Sequence, residues 1–174
     1  GGGAAGMAAA IAAADGQEVE LFEQNEKLGK KIYITGKGRC NLTNACDMEE
    51  FFQAVVKNPK FLYSALYGFD NQQVIDFFNQ NGCQTKVERG NRVFPVSDHS
   101  SDVIRSMEQV LKQKKVKIHL HSKVQEIMIH NGHVIGIMVN QEKKNFDAVI
   151  IATGGFSYQS TGSTGDGYGF AKKI

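Results

Sequence analysis

The sequence has no long apolar run, few cysteines and little net charge. No stretch of about 18 consecutive apolar residues occurs in it, so no membrane span is expected. The three cysteines (Cys40, Cys46 and Cys83) are odd in number and irregularly spaced, which argues against a disulfide framework and suits a reducing cytoplasm. A net charge of +2 supplies no strongly basic surface, so nucleic acid is not the expected partner.

A glycine-rich turn opens the chain. Residues 1–6 follow a G-x-G-x-x-G pattern and lead into an alanine-rich segment over residues 4–14 that is predicted to be helical. In such a turn the first glycine permits a tight bend, the second lets the backbone approach a pyrophosphate, and the third packs the helix on the sheet. The phosphates then face the free N–H groups of the helix N-terminus. The predicted contacts here are Gly1, Gly3, Ala4, Ala5 and Gly6.

An acidic residue ends the apolar run that follows this helix. Glu23 comes directly after residues 19–22, where its carboxylate can accept hydrogen bonds from both ribose hydroxyls of a dinucleotide. The adjoining Gln24 is included in the predicted nucleotide site. A glycine motif alone also fits an ordinary turn, but the helix and the acid downstream favour a dinucleotide-binding βα unit.

Several further elements are predicted before residue 116. Residues 25–46 form a long loop rich in glycine and lysine, and residues 47–81 form helices whose phenylalanines are expected in the core. Residues 83–96 form a short β-ribbon, and a helix runs from about 97 to 115. The helical insertion thus spans about residues 47–115.

The remaining chain is predicted to be largely β-structure. An antiparallel β-meander at about 123–147 is centred on the Asn131-Gly132 turn. The apolar run 148–152 predicts a strand buried on both faces of a parallel sheet, and it ends in Thr153-Gly154-Gly155. A meander placed before such a strand is typical of two-dinucleotide-binding flavoproteins.

Five sequence features together resemble one protein family. They are the opening turn with Glu23, residues 29–31 (G-K-K), the G-R-C-N-L-T-N string of residues 38–44, and the A-T-G-G and T-G-S-T-G-D-G-Y strings of residues 152–155 and 161–168. The whole chain resembles the BaiN-like bacterial flavoproteins, an aminoacetone-oxidase-type FAD-binding family, although Gln159 stands where that family usually has proline.

The resemblance implies a fold and a cofactor. The expected fold is of the α/β class, a Rossmann-like FAD-binding domain of the two-dinucleotide-binding flavoprotein type, with the helical insertion and the β-meander. Residues 1–174 would be the N-terminal part of a longer protein whose first strand and C-terminal re-entrant part lie outside them. The expected cofactor is FAD, with NAD(P)H as a further candidate that would reduce it.

The resemblance also extends the predicted FAD site. In the G-R-C-N-L-T-N string, Gly38 would let the loop lie close to the flavin, Cys40 would be a small buried or cofactor-adjacent thiol, and Asn41 would hydrogen-bond the flavin edge. Arg39 or Lys31 would neutralise the pyrophosphate or the charge of the reduced flavin, with an ordinary structural salt bridge as the alternative for Arg39.

Other FAD contacts are implied in the β-rich half of the chain. Val124 would pair the adenine edge through its backbone, and Thr153, Gly154 and Gly155 belong to the A-T-G-G loop. Asp166 would lie near the FAD sugar or ribitol, with a simple turn aspartate as the alternative. No metal site is expected, because His119 and His121 have no third ligand in evidence.

Three functions fit these observations. The first is an FAD-dependent oxidoreductase acting on a small molecule, with the flavin reduced by NAD(P)H or by the substrate. The second is a flavin-dependent tRNA-modifying protein that uses the basic patch formed by Lys112, Lys114, Lys115 and Lys117. The third is a flavin-free NAD-binding domain. The sequence assigns no catalytic residue, substrate or oligomeric state.

Overall fold

The computed structural model describes residues 1–174 as two compact units. The first unit contains Gly1–Ile32 and Met107–Ile174, and the second contains Tyr33–Ser106. The second unit covers most of the segment predicted to be a helical insertion.

The first unit is built on a βα arrangement at the start of the chain. Helix α1 (Ala4–Ala13) buries Met7 and Ile11, one turn apart, and is followed by strand β1 (Glu20–Phe22). Strand β5 (Lys117–His119) pairs with β1 in parallel, with Leu21 opposite Ile118. The predicted alternation of helix and parallel strand is confirmed here.

The same unit contains the predicted antiparallel meander. Strands β6 (Val124–His130), β7 (His133–Val139) and β8 (Glu142–Asn145) lie side by side in that order. Asn131 and Gly132 both have left-handed backbone angles (φ 50° and 75°), as a tight hairpin turn of this kind requires. The prediction from the Asn-Gly pair is therefore confirmed.

The second unit combines short helices with a small antiparallel sheet. Asp47 and Asp70 cap the two helices that follow them by accepting hydrogen bonds from the N–H groups of Glu50 and Gln73. The elements are strand β2 (Thr43–Asn44), helices α3 (Met48–Gln53), α4 (Tyr63–Gly68) and α5 (Asn71–Gln80), and strands β3 (Thr85–Glu88) and β4 (Arg92–Pro95), with the strand order β2-β4-β3.

The chain contains three further helices, in addition to α1 and the helices α3, α4 and α5. Helix α2 (Lys30–Ile34) falls within residues 25–46, so the prediction of a loop throughout that segment is wrong. Burial of Leu28 and Ile32 explains the helical turn, which the glycines and lysines around it obscure. Helix α6 (Ser100–Gln113) follows the β-ribbon as predicted, and α7 (Asp166–Ala171) lies near the end. None of the helices has both the length and the apolar character needed to cross a membrane.

The strand predicted over residues 148–152 does not form. These residues have no regular secondary structure, and Ile150 and Ile151 are 63% and 38% exposed. The prediction was wrong because apolar composition alone does not make a strand, which also needs a hydrogen-bonding neighbour. Strand β1 pairs only with β5, and no strand pairs with residues 148–152.

The expectation that the phenylalanines of the helical segment lie in the core is only partly met. Phe78 is buried on α5, whereas Phe61 is 85% exposed. The Asn58-Pro59 break starts a new short helical turn, so the periodicity of the preceding helix does not continue through Phe61.

The core position that we expect to be most sensitive is Leu111 on α6, which is fully buried. Leu111→Ala should lower the free energy of unfolding by about 2–5 kcal/mol, because it leaves a cavity. Urea denaturation followed by circular dichroism measures this change. Gln109→Ala, at an exposed position of the same helix, should change stability by less than about 0.5 kcal/mol; equal effects of the two substitutions would contradict this view of the core.

Candidate dinucleotide-binding site

The glycine turn leads into an uncapped helix N-terminus. Gly3 is the N-cap residue of α1 and provides no side-chain hydrogen bond, and the first turn contains no acidic side chain. Met7 N–H donates to Gly3 O at 2.9 Å, but the N–H groups of Ala4, Ala5 and Gly6 have no acceptor within the chain. This helix end can therefore receive an anionic ligand.

Two glycines of the turn have opposite surroundings. A Cβ on Gly6 would overlap the carbonyl oxygen of Gly1, so close packing requires glycine there. A Cβ on Gly3 would meet no atom within 4 Å. The space beside Gly3 is thus left open by the protein, at the point where a pyrophosphate would approach the helix. The turn therefore has room for a ligand beside Gly3.

Glu23 lies buried at the end of β1 and holds the turn in place. The N–H of Gly2 donates to Glu23 Oε2 at 2.5 Å. The backbone N–H and the Nδ2 of Asn25 donate to Glu23 Oε1 at 2.8 and 2.7 Å. Because each carboxylate oxygen can accept about two hydrogen bonds, Oε2 retains an acceptor position. That position can serve a ribose hydroxyl.

Residues after β1 connect this turn to the loop of residues 153–165. Gln24 Nε2 donates to Gly162 O at 2.9 Å, and Asn25 Nδ2 donates to Thr161 O at 3.1 Å. Lys31 Nζ lies 3.4 Å from Ser157 Oγ. The predicted contact Gln24 therefore touches the T-G-S-T-G-D-G-Y string, and Lys31 touches the segment that joins this string to A-T-G-G.

Further predicted residues of the first unit lie in the same neighbourhood. A Cβ on Gly1 would approach Ala152 O and Thr153 Cα, and a Cβ on Gly167, next to Asp166, would approach Thr153 Oγ1. Ser122 N–H donates to Glu23 O at 2.8 Å, two residues before β6 begins at Val124. The glycine turn thus lies against Glu23 and Thr153, and Gly167 lies against the side chain of Thr153. The other predicted residues, Gln24, Lys31, Gly154, Gly155, Asp166 and Val124, belong to the same unit.

The remaining predicted residues belong to the second unit and form a strained loop. Gly36, Lys37, Gly38 and Cys40 all have left-handed backbone angles, with φ between 58° and 87°. With its amide turned so that Nδ2 donates, Asn41 lies 3.1 Å from both Val93 O and Thr43 O. These bonds fix Asn41 on the small sheet of that unit.

Arg39 anchors this loop through an ion network, the structural alternative that the sequence left open. Its guanidinium donates to Glu88 at 2.5 Å and to Asp98 at 2.6 and 2.9 Å, and it lies over the Phe94 ring at 4.2 Å from the centroid. Lys86 adds a second cation to Asp98 at 2.8 Å. Two carboxylates balance the charge of Arg39, which favours a structural role over phosphate binding.

The ion network lowers the pKa of both carboxylates. The hydrogen bond from Arg39 holds the pKa of Glu88 below its ordinary value, and the hydrogen bonds from Lys86 and Arg39 do the same for Asp98. In contrast, burial raises the pKa of Cys40 to about 11, with a further contribution from Cys83. Cys40 is therefore a neutral thiol at pH 7 and packs as a small apolar side chain.

The fold and the glycine turn define a Rossmann-type dinucleotide-binding domain of the FAD-binding class. The sequence matches the HI0933-like protein Rossmann domain family over residues 1–174, and the chain belongs to that family. The expectation drawn from the BaiN-like resemblance, for the family and for the fold, is confirmed.

Several curated relatives match along the whole chain, including the following two. One is a 3-dehydro-bile acid delta(4,6)-reductase of Clostridium scindens, 37% identical over 179 aligned positions that cover 100% of this chain and 42% of the relative. The other is a ribosomal RNA dihydrouridine synthase of Escherichia coli, 31% identical and covered to 43%. The chain thus spans less than half the length of these relatives.

Solved structures share the fold at low sequence identity. An oxidoreductase from Methanosarcina mazei matches with a TM-score of 0.53 at 16% identity, covering 95% of this chain and 60% of that protein. L-proline dehydrogenase from P. horikoshii matches with a TM-score of 0.54 at 18% identity, covering 88% and 51%.

The ion network predicts a pH-dependent effect of Arg39→Met. Because the folded-state pKa values of Glu88 and Asp98 are lowered, their stabilisation is present above their ordinary pKa and is lost as the pH falls through the lowered values. The variant should be less stable than the wild type at pH 7, and this difference should shrink below about pH 4. Urea midpoints measured at both pH values test this.

Arg89→Met is the matched control, because the exposed Arg89 side chain makes no ion pair. It should leave the urea midpoint nearly unchanged at both pH values. A difference between wild type and Arg39→Met that stays constant from pH 7 to about pH 3 would show that the network contributes no linked stabilisation.

Proposed function

We propose that the whole protein is an FAD-dependent reductase that transfers two electrons from a nicotinamide dinucleotide, through the flavin, to a carbon–carbon double bond conjugated with a carbonyl group. The observation that carries the proposal is the open, uncapped N-terminus of α1 beside the buried Glu23, in a chain of this family. Hydride adds to one carbon of the double bond and a proton to the other, while the nicotinamide is oxidised.

The residues of the first unit suit the adenosine and pyrophosphate part of FAD. The N–H groups of Ala4, Ala5 and Gly6 would hold the phosphate oxygens, and the space beside Gly3 lets the phosphates come close. Glu23 Oε2 would accept a ribose hydroxyl while it continues to hold Gly2. When bound, FAD supplies the hydride chemistry, and the protein supplies binding, orientation and electrostatics.

Other predicted contacts keep their proposed roles. Gly38, Cys40 and Asn41 are proposed to line the flavin, Val124 to pair the adenine edge, and Asp166 to approach the sugar or ribitol. Of the two cations considered for the phosphates, Lys31 is now preferred to Arg39. Lys31 belongs to the same unit as the glycine turn, whereas the charge of Arg39 is balanced by Glu88 and Asp98.

The type of reaction is inferred from the two kinds of curated relative that match along the whole chain. The names bile acid delta(4,6)-reductase and dihydrouridine synthase both describe hydrogen added to an unsaturated ring. The two substrates differ greatly in size and polarity, yet in both the ring double bond can be conjugated with a carbonyl group. An activated ring double bond is therefore the substrate feature that the proposal assigns to this protein.

Gly3→Ala provides a direct test of the phosphate site. The added methyl group meets no protein atom, and the φ of −81° at Gly3 suits any residue, so folding should be unaffected. The same methyl group occupies the space reserved for the pyrophosphate, so the affinity for FAD should fall roughly 10-fold or more. FAD titration of the apoprotein, monitored by flavin fluorescence, measures the loss.

Gly68→Ala is the matched control for this experiment. A Cβ on Gly68 would also meet no atom within 4 Å, but this glycine lies on α4 in the second unit. The substitution should leave FAD affinity unchanged. If Gly3→Ala binds FAD as tightly as Gly68→Ala does, the proposed phosphate site is wrong.

The redox proposal predicts a spectroscopic result for the full-length protein. Purified protein reconstituted with FAD should show the visible flavin absorption, and anaerobic NADH or NADPH should bleach it. A conjugated steroid dienone and a uridine-containing RNA are then added to separate samples without oxygen. The compound that carries the accepted double bond should restore the flavin colour. The measurement is a stopped-flow absorbance trace under argon.

The other outcomes separate the alternatives. Flavin that is not bleached by either nicotinamide but is bleached by a reduced substrate would indicate a dehydrogenase or oxidase and overturn the proposed direction. Tight NAD binding with no flavin uptake would instead support the flavin-free domain.

A further inference from the structure

We propose that residues 51–69 of the second unit form a binding surface for single-stranded RNA, with aromatic rings that stack on bases and two lysines that contact phosphates. This inference goes beyond the redox reaction and concerns a surface distinct from the glycine turn. The segment contains four of the 11 phenylalanines and two of the five tyrosines, together with two lysines and no aspartate or glutamate.

The aromatic rings of this segment are ordered and yet exposed. Tyr63 and Tyr67 lie one turn apart on α4, with ring centroids 6.0 Å apart. Phe52 packs edge-on against Tyr63 at 4.5 Å and lies 5.8 Å from Tyr67. Tyr67 nevertheless remains 72% exposed. The rings support one another, so a base can stack on them without a large loss of side-chain freedom.

Phe61 is a further exposed ring of the segment, 85% exposed and next to Lys60 in the sequence. It lies in the short helical turn Pro59–Leu62 that leads into α4. A phenylalanine exposed to this degree gains little from folding, because its apolar area stays in water. Its exposure beside lysine in the sequence is what a stacking platform for nucleic acid requires.

The two lysines of the segment form no ion pair, although the helix that contains Phe52 begins with two acidic residues, Glu49 and Glu50. Lys57 and Lys60 are exposed, and neither forms an ion pair. The nearest acidic residues in the sequence, Glu50 and Asp70, lie outside the segment, and Asp70 is engaged in capping α5. Both ammonium groups are therefore available to phosphates.

The lysines of the other basic patch, which the sequence suggested for RNA, do have carboxylates close to them. That patch consists of Lys112, Lys114, Lys115 and Lys117. Lys114 pairs with Asp15, and Lys117 lies 3.7 Å from Glu18 and 3.8 Å from Glu20. The other two lysines of that patch line a groove that also contains two carboxylates; these four residues are Lys112, Lys115, Glu26 and Glu108. The positive charge of this patch is largely neutralised, so the phosphates of an RNA strand are attracted more strongly to the unpaired lysines of residues 51–69.

The combination favours single-stranded RNA over other occupants. Exposed aromatic faces stack on unpaired bases of any sequence, whereas a duplex keeps its bases stacked internally. A neutral apolar ligand would need the rings but not the unpaired lysines. One relative that matches the whole chain acts, by its name, on ribosomal RNA, which is consistent with this choice.

The test uses full-length protein and a fluorescein-labelled oligouridine of about 12 nucleotides, followed by fluorescence anisotropy over a range of salt concentrations. Tyr67→Leu and Phe61→Leu keep apolar volume but remove the ring, and each should weaken binding roughly 5- to 100-fold. Tyr67→Phe keeps the ring and should bind nearly as the wild type does. Lys57→Gln with Lys60→Gln should weaken binding and lower the slope of log K against log salt by about 1.4.

Lys112→Gln with Lys115→Gln is the charge-matched control and should leave affinity and salt slope unchanged. Absent binding by the wild type overturns the proposal, and so does wild-type affinity in all three ring and lysine variants. Binding of the oligouridine that depends on the rings but not on the lysines or salt would show that the surface makes no phosphate contact, and would also overturn the proposal. Circular dichroism and flavin absorption of each variant separate these results from misfolding and from failure of the redox proposal.

Discussion

The hydrogen-bonded carboxylate of Glu23 is the interaction on which the dinucleotide-binding half of the molecule depends. A buried carboxylate is strongly unfavourable unless it is hydrogen-bonded, and three donors from Gly2 and Asn25 satisfy it. These bonds fasten the glycine turn to the end of β1. Asn25 continues the connection to Thr161, and the backbone of Glu23 accepts from Ser122. Glu23 and Asn25 together thus connect the turn and the end of the strand to two later loops.

Elements with a local cause could be predicted from the sequence. Asp47 and Asp70 are followed by helices because their side chains satisfy free N–H groups within three residues. The Asn131-Gly132 hairpin follows from two left-handed residues between alternating strands. Residues 148–152 and Phe61 could not be predicted in this way, since their state depends on whether another part of the chain lies against them.

The candidate site also contains features with a local cause, which the sequence predicts, and features that depend on distant residues, which it does not predict. The glycine pattern and the acid that follows it are local signals. The hydrogen bond from Gly2 to Glu23 is a further contact that the pattern does not predict. The sequence allowed a salt bridge for Arg39 but could not identify its partners, because Glu88 and Asp98 are 49 and 59 residues away in the sequence. No spacing rule links those three residues. The ion pairs become visible only when the β-ribbon folds back on the loop.

The exposed apolar run at residues 148–152 has a consequence for the handling of this region in the laboratory. Short segments rich in valine and isoleucine, without charge or proline, readily add to the open edges of other sheets. Strand β1, which hydrogen-bonds only to β5, offers such an edge. Molecules of this region expressed by themselves can therefore associate through strand addition, and charged residues introduced at Ile150 would act as gatekeepers against aggregation.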